Sequence, residues 1–214
     1  MLKGSVLEAV YYRFLNRCFI PCCVFLRLKA NHLSFLGMLS GLGAGIAFVF
    51  SPFWGGVLTL LAGLLDSLDG ALARELNQAR RQGAFLDSVL DRYSEYFILV
   101  GIWAYFLRKG SATPLITLTV FLVFFGSFMV SYIRARAEGL EVSCLVGLFQ
   151  RAERTIAIGV AGMVNSLVNF TARANETALL GQDAVLIVAL ILLAVGTNLT
   201  ALRRLFDVLN KLRP

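Results

Sequence analysis

Asp66, Asp69, Asp87 and Asp91 sit among apolar residues, at spacings of three and four within each pair. In a helix both spacings place the two side chains on one face. Two antiparallel helices joined by a short loop would bring all four carboxylates to one point. A carboxylate inside a membrane helix costs about 2.5–3.5 kcal/mol, and neighbouring ones repel. Folding requires no such cluster. Pairing with Arg74 and Arg92 would leave charge over, since four acids face two bases. Metal cations are the usual reason for several acidic oxygens at one place. A set made only of oxygen favours Mg²⁺ or Mn²⁺, with two ions expected. Zinc would want histidine or cysteine, and the one histidine, His32, lies elsewhere.

The surrounding residues suit a phosphate-bearing ligand. Gly70 follows Asp69 directly and lets a ligand approach the backbone closely. Ala73 keeps that face narrow, and Arg74 offers a planar fork to a phosphate oxygen. Gly83 serves either a close helix contact or a turn at the start of the next helix.

The elements that carry these residues are set by hydropathy. Of 214 residues, 58% are hydrophobic and only 15% charged. A soluble domain would carry about 25% charged residues. Mean hydropathy is +0.76. Apolar runs of roughly 18–25 residues are long enough to cross a hydrocarbon core of about 30 Å. The chain is read as one all-α integral membrane domain over 1–214. A juxtamembrane amphipathic segment is expected over 1–30 and a six-helix bundle over 31–206. The spans are expected near 33–51, 54–76, 84–107, 114–136, 152–172 and 183–206, with polar loops at 138–150 and 173–182. Ser51-Pro52 and the Gly55-Gly56 pair predict a tight turn. Lys3, Glu8, Arg13 and Arg17 interrupt any signal-like apolar run, and Tyr11, Tyr12 and Phe14 suit a helix lying at the headgroups. Cys18, Cys22, Cys23 and Cys144 match no metal pattern and are expected to pack as small apolar residues, with acylation of Cys22 or Cys23 as the alternative.

Charge sets the orientation. With six spans, 17 of the 20 Lys and Arg residues fall on the side of the aspartates and both termini. The positive-inside rule makes that side cytoplasmic. The basic balance favours anionic headgroups and phosphate-bearing substrates over nucleic acid.

The run from Asp66 to Asp91 resembles the signature of the CDP-alcohol phosphotransferases, D-x2-D-G-x2-A-R-x8-G-x3-D-x3-D, at every fixed position. The resemblance implies an enzyme of phospholipid synthesis that displaces CMP from a CDP-activated lipid such as CDP-diacylglycerol. It implies that Asp66, Asp69 and Asp87 ligate metal, and that Asp91 is both a ligand and the base for the acceptor hydroxyl. Gly70 and Arg74 would contact the CDP part, with Gly83 beside them. Asn31 and Ser34 resemble the short polar stretch that contacts CDP in the family, although either could instead cap the first span. Homodimers are common in the family, and a dimer is expected.

A second group bears on the acceptor. Ser131 and Arg134 end the fourth span, Arg151 and Arg154 open the fifth, and Arg204 closes the sixth. Guanidinium groups converging from three helices suit a phosphate dianion. The runs Ser-Tyr-Ile-Arg-Ala-Arg-Ala-Glu and Arg-Ala-Glu-Arg resemble those of phosphatidylinositol phosphate and archaetidylinositol phosphate synthases, with Ala152 in place of a proline. By that resemblance these residues bind the phosphate of inositol 1-phosphate. Glycerol 3-phosphate is the main rival acceptor, and serine suits so many arginines less. A transporter would more often show inverted repeats and broken helices near the midplane, and none is found. A non-catalytic scaffold would not need all four aspartates.

Overall fold

Glycine and proline determine how these helices pack. In a computed structural model, residues 13–15, 17–76, 80–144, 146–174 and 182–213 are described. Their helices are α1 (Ile20–Phe25), α2 (Ala30–Phe50), α3 (Pro52–Glu75), α4 (Arg81–Arg108), α5 (Pro114–Glu138), α6 (Arg151–Ala174) and α7 (Ala184–Lys211). No strand occurs among the described residues. In hydrocarbon every backbone group needs an internal partner, so long apolar segments become helices even when rich in glycine. Pro52 and Pro114 each open a helix, where a missing N–H costs nothing. Thr113 caps α5, its hydroxyl accepting from the Ile116 N–H at 3.2 Å. Gly110, at φ 69°, ends α4 in the left-handed conformation.

Five helices, all but α1 and α4, are long and apolar enough to cross a membrane. Their ends differ from those of the expected spans by at most five residues. Gly55 and Gly56 lie inside α3, not in a turn. They act by close approach: a Cβ on Gly56 would stand 2.4 Å from the Gly159 carbonyl oxygen of α6, and one on Gly55 would meet the Phe48 ring. Likewise a Cβ on Gly45 of α2 would lie 2.3 Å from the Phe97 carbonyl oxygen of α4. Without a hydrophobic drive between helices in lipid, small residues that allow such contact hold the bundle together.

Helix α2 packs on both α3 and α4, α3 also packs on α6, and α5 packs on α7. The mid-bundle core includes Phe48, Ile98, Leu99, Ile102, Phe106, Val123, Leu190 and Leu193. Large apolar side chains such as Phe121, Phe125, Leu192 and Val195 point outward instead. Helix α1 turns Ile20 and Cys23 inward onto Leu33, Leu68 and Leu72, near the aspartates. Cys144 is also buried, as expected of a packing residue, whereas Cys18 and Cys22 are exposed. Residues 1–12 and 16 of the expected amphipathic segment, Tyr11 and Tyr12 among them, lie outside the described residues, as does most of the 173–182 loop.

Candidate active site

Helix α3 brings Asp66 and Asp69 to its last turns, and α4 brings Asp87 and Asp91 to its first turns. Carboxylate oxygens of Asp66, Asp69 and Asp87 lie within 4.8 Å of one another. Asp69 and Asp87 approach to hydrogen-bonding distance. Neither has an ion pair among the described residues. Carboxylates this close need a proton or a cation between them, so the three oxygens fit a hard divalent ion. Ser34 donates to Asp69 Oδ2 at 2.6 Å and fixes that carboxylate from α2.

Asp91 stands apart from the trio. Arg151 of α6 reaches between Asp66 and Asp91, its Nη2 lying 2.7 Å from Asp91 Oδ1 and its Nη1 pairing with Asp66. Arg151 thus pairs with two of the aspartates, and Arg92 pairs with Glu95.

The donor-side residues adjoin this cluster. Gly70 has only Arg74 Nη1 near its missing side chain, at 3.5 Å, so its face is open to a ligand. Gly83 faces Asn31, whose Oδ1 lies 3.4 Å from the position of a Cβ. Neither Asn31 nor Ser34 caps α2. The N-cap is Lys29, whose N–H donates to His32 Nδ1 at 3.4 Å.

The expected acceptor residues divide into two kinds. Arg204 is buried, and its Nε and Nη1 donate to the carbonyls of Val146 and Val130 at 2.8 and 2.6 Å. It has no ion pair among the described residues. Gly147, at φ 119°, lets the loop lie against α7 and present the Val146 carbonyl, because a side chain there would strike Thr200. Arg134 lies within charge range of Arg204 and is partly exposed, paired only with Glu138 at 2.8 Å. Ser131 donates to the Ser127 carbonyl at 3.4 Å. Arg154 departs from expectation. It is 1% exposed and its fork is committed: Nε to Glu95 Oε1 at 2.7 Å, Nη2 to Glu95 Oε2 at 3.1 Å and Nη1 to the Phe149 carbonyl at 3.0 Å. The sequence expectation missed Glu95, although the four-residue spacing of Asp87 and Asp91 continues to it.

The family model for CDP-alcohol phosphatidyltransferases matches residues 27–202, and the chain belongs to that family. Its activity is that of a CDP-alcohol phosphatidyltransferase, a metal-dependent transferase of substituted phosphate groups. Among curated relatives, the archaetidylinositol phosphate synthase of Methanothermobacter thermautotrophicus is 38% identical over 74% of this chain and 78% of its own. The phosphatidylinositol phosphate synthase of Streptomyces avermitilis is 33% identical over 96% of this chain and 84% of its own. Among solved structures, the phosphatidylinositol phosphate synthase of Mycobacterium tuberculosis with CDP-DAG bound superposes with a TM-score of 0.75 at 25% identity. That match covers 90% of this chain and 94% of the other. The same protein has been solved with manganese and citrate.

Proposed function

We propose that the chain transfers the phosphatidyl-type group of CDP-diacylglycerol, or a related CDP-lipid, to inositol 1-phosphate and releases CMP. The observation that carries the acceptor is Arg204, a buried guanidinium held on neutral carbonyls beside a second cation, Arg134. A buried charge without a counter-charge is costly, and a phosphate dianion would supply one. Ser131 adds a hydroxyl on the same helix as Arg134. Arg154, sequestered on Glu95, supports the site from behind. The names of the relatives agree with this acceptor.

Asp66, Asp69 and Asp87 hold the metal, and Asp91 joins them as a ligand. Divalent metal, when bound, supplies the positive charge that a pyrophosphate and a departing CMP require. Gly70, Arg74, Gly83, Asn31 and Ser34 bind the CDP part of the donor. Asp91 accepts the proton of the acceptor hydroxyl as that oxygen forms its bond to the lipid-linked phosphorus. The bond from that phosphorus to the bridging oxygen breaks, and CMP leaves with it. Helix α4 is the sixth span, shorter in apolar length because its first turns carry the catalytic charges. The aspartate end of the bundle faces the cytoplasm, and α1 lies along the interface.

The test is CMP release from one labelled CDP-diacylglycerol with inositol 1-phosphate, glycerol 3-phosphate, inositol and serine offered in turn. Turnover with inositol 1-phosphate and little with free inositol is expected. Turnover with glycerol 3-phosphate but none with inositol 1-phosphate would overturn the acceptor assignment.

A further inference from the structure

Helices α4 and α6 meet through charge more than through packing. The close neighbour of α4 is α2, and those of α6 are α3 and α7. Asp91 and Glu95 lie one turn apart on α4, and Arg151 and Arg154 lie one turn apart on α6. Two ionic rungs result. One joins Asp91 to Arg151, and the other joins Glu95 to Arg154 through both carboxylate oxygens. Arg92 adds a third contact to Glu95, Nη1 to Oε2 at 3.0 Å. Beside Glu95 and Arg151, where α3 joins α4 and α6, lies a cavity of about 10 Å³ lined also by Thr59, Ser94 and Thr155. That is room for about one water molecule.

We propose that Glu95 is a positioning residue for the metal site, keeping Arg154 paired so that Asp91 stays available to Arg151 and to metal. The proposal rests on the metal assignment made above. Arg154 is 1% exposed and cannot turn to water. An orphaned buried guanidinium is strongly unfavourable, which draws it toward another carboxylate. Asp91, one turn before Glu95, is the next carboxylate along α4. Arg154 on Asp91 would compete with metal there and would displace Arg151. Glu95 itself touches no reacting atom. It acts by occupying Arg154.

The experiment measures Mn²⁺ binding directly, from the electron-spin resonance signal of free Mn²⁺, with full-length protein in a nonionic detergent. Glu95→Gln keeps the shape and removes the charge, and is expected to weaken Mn²⁺ binding about tenfold or more. At Mn²⁺ concentrations that saturate the variant, the KM for the CDP-lipid should stay within about twofold. Glu95→Gln with Arg154→Met removes the orphaned cation as well and should restore Mn²⁺ binding most of the way, whatever happens to acceptor turnover. Glu95→Asp, which keeps the charge but shortens the reach, should fall between wild type and Glu95→Gln, and it carries the test if Glu95→Gln does not fold. Wild-type Mn²⁺ affinity in Glu95→Gln, or in Glu95→Asp where only that variant folds, would overturn the proposal. So would a double variant no better than the single one. A wild-type protein that binds no Mn²⁺ would instead sink the metal assignment. Failure of inositol 1-phosphate as acceptor would leave the Mn²⁺ comparison intact.

Discussion

Two polar clusters sit at opposite ends of this bundle, and they are built on opposite terms. At the far end from the aspartates, Asp183 is 2% exposed and fully satisfied. Its Oδ1 accepts from Tyr105 Oη, Asn165 Nδ2 and Asn169 Nδ2 at 2.8, 2.9 and 2.7 Å, and its Oδ2 pairs with Lys109. Asn165 and Asn169 return the favour, accepting from the N–H groups of Leu186 and Asp183 at 3.2 Å. One anion meets one cation, and the donors tie α4, α6 and α7 together. At the near end, Asp69 and Asp87 crowd each other without an ion pair among the described residues. Arg204 is a cation with only carbonyls for partners. Burial is common to both ends, so burial does not mark function. What marks it is charge that the protein leaves unsettled, negative on α3 and α4, positive on α7.

The contrast is easiest to break at Asp91. Asp91→Asn keeps the size and removes the base, and CMP release should fall by about 10²–10⁴. Binding of the CDP-lipid, measured by displacement of a labelled analogue, should persist. Full activity in this variant would remove Asp91 from the chemistry. Next in size is Arg204→Lys, which gives up the fork for a point charge. Losing a hydrogen bond to a charged group costs about 1.5–3 kcal/mol, so KM for inositol 1-phosphate should rise by roughly ten- to a hundredfold while KM for the CDP-lipid holds. An equal rise in both would point to general damage near α7. Smaller still is Asp183→Asn. It should lower stability in detergent by about 1–3 kcal/mol, read as a shifted melting transition, and leave both KM values alone. A kinetic phenotype there would show that the far cluster is not merely structural.

Much of the near end was legible in the sequence, because spacing is a local property. The three- and four-residue intervals among the aspartates, with Gly70 and Arg74 between them, predicted which helix faces would meet. Hydropathy alone placed five of the helices, and the span expected near 84–107 is a helix over Arg81–Arg108 in spite of the charges in its first turns. What was not legible depended on pairing across helices. Nothing local says that Arg154 turns to Glu95 while Arg151, three residues away, turns to Asp91. The far cluster joins Lys109 and Asp183, which are 74 positions apart. Gly55 and Gly56 read as a turn because glycine signals both bends and close contacts, and only the positions of α2 and α6 distinguish them. Ser34 read as a cap or a ligand contact, and its partner Asp69 lies 35 residues away.

The finest prediction concerns acid. Asp183 precedes α7, and burial pushes its carboxyl up. The donors, Lys109 first and then Asn165, Tyr105 and Asn169, more than offset this and hold it below the usual carboxylate range. In the unfolded chain an aspartate titrates at about 3.9. A carboxyl that is more acidic when folded binds fewer protons in the native state near that pH. Its stabilisation is therefore complete above about pH 4 and fades as pH falls through the folded value. From pH 8 to about 5 the melting gap between wild type and Asp183→Asn should be constant. Toward pH 3 it should narrow, because the wild-type carboxyl is then protonating and losing its pairing with Lys109. A gap that stays the same at pH 3 would mean that the cluster is held by the shape of its hydrogen bonds and not by its charge.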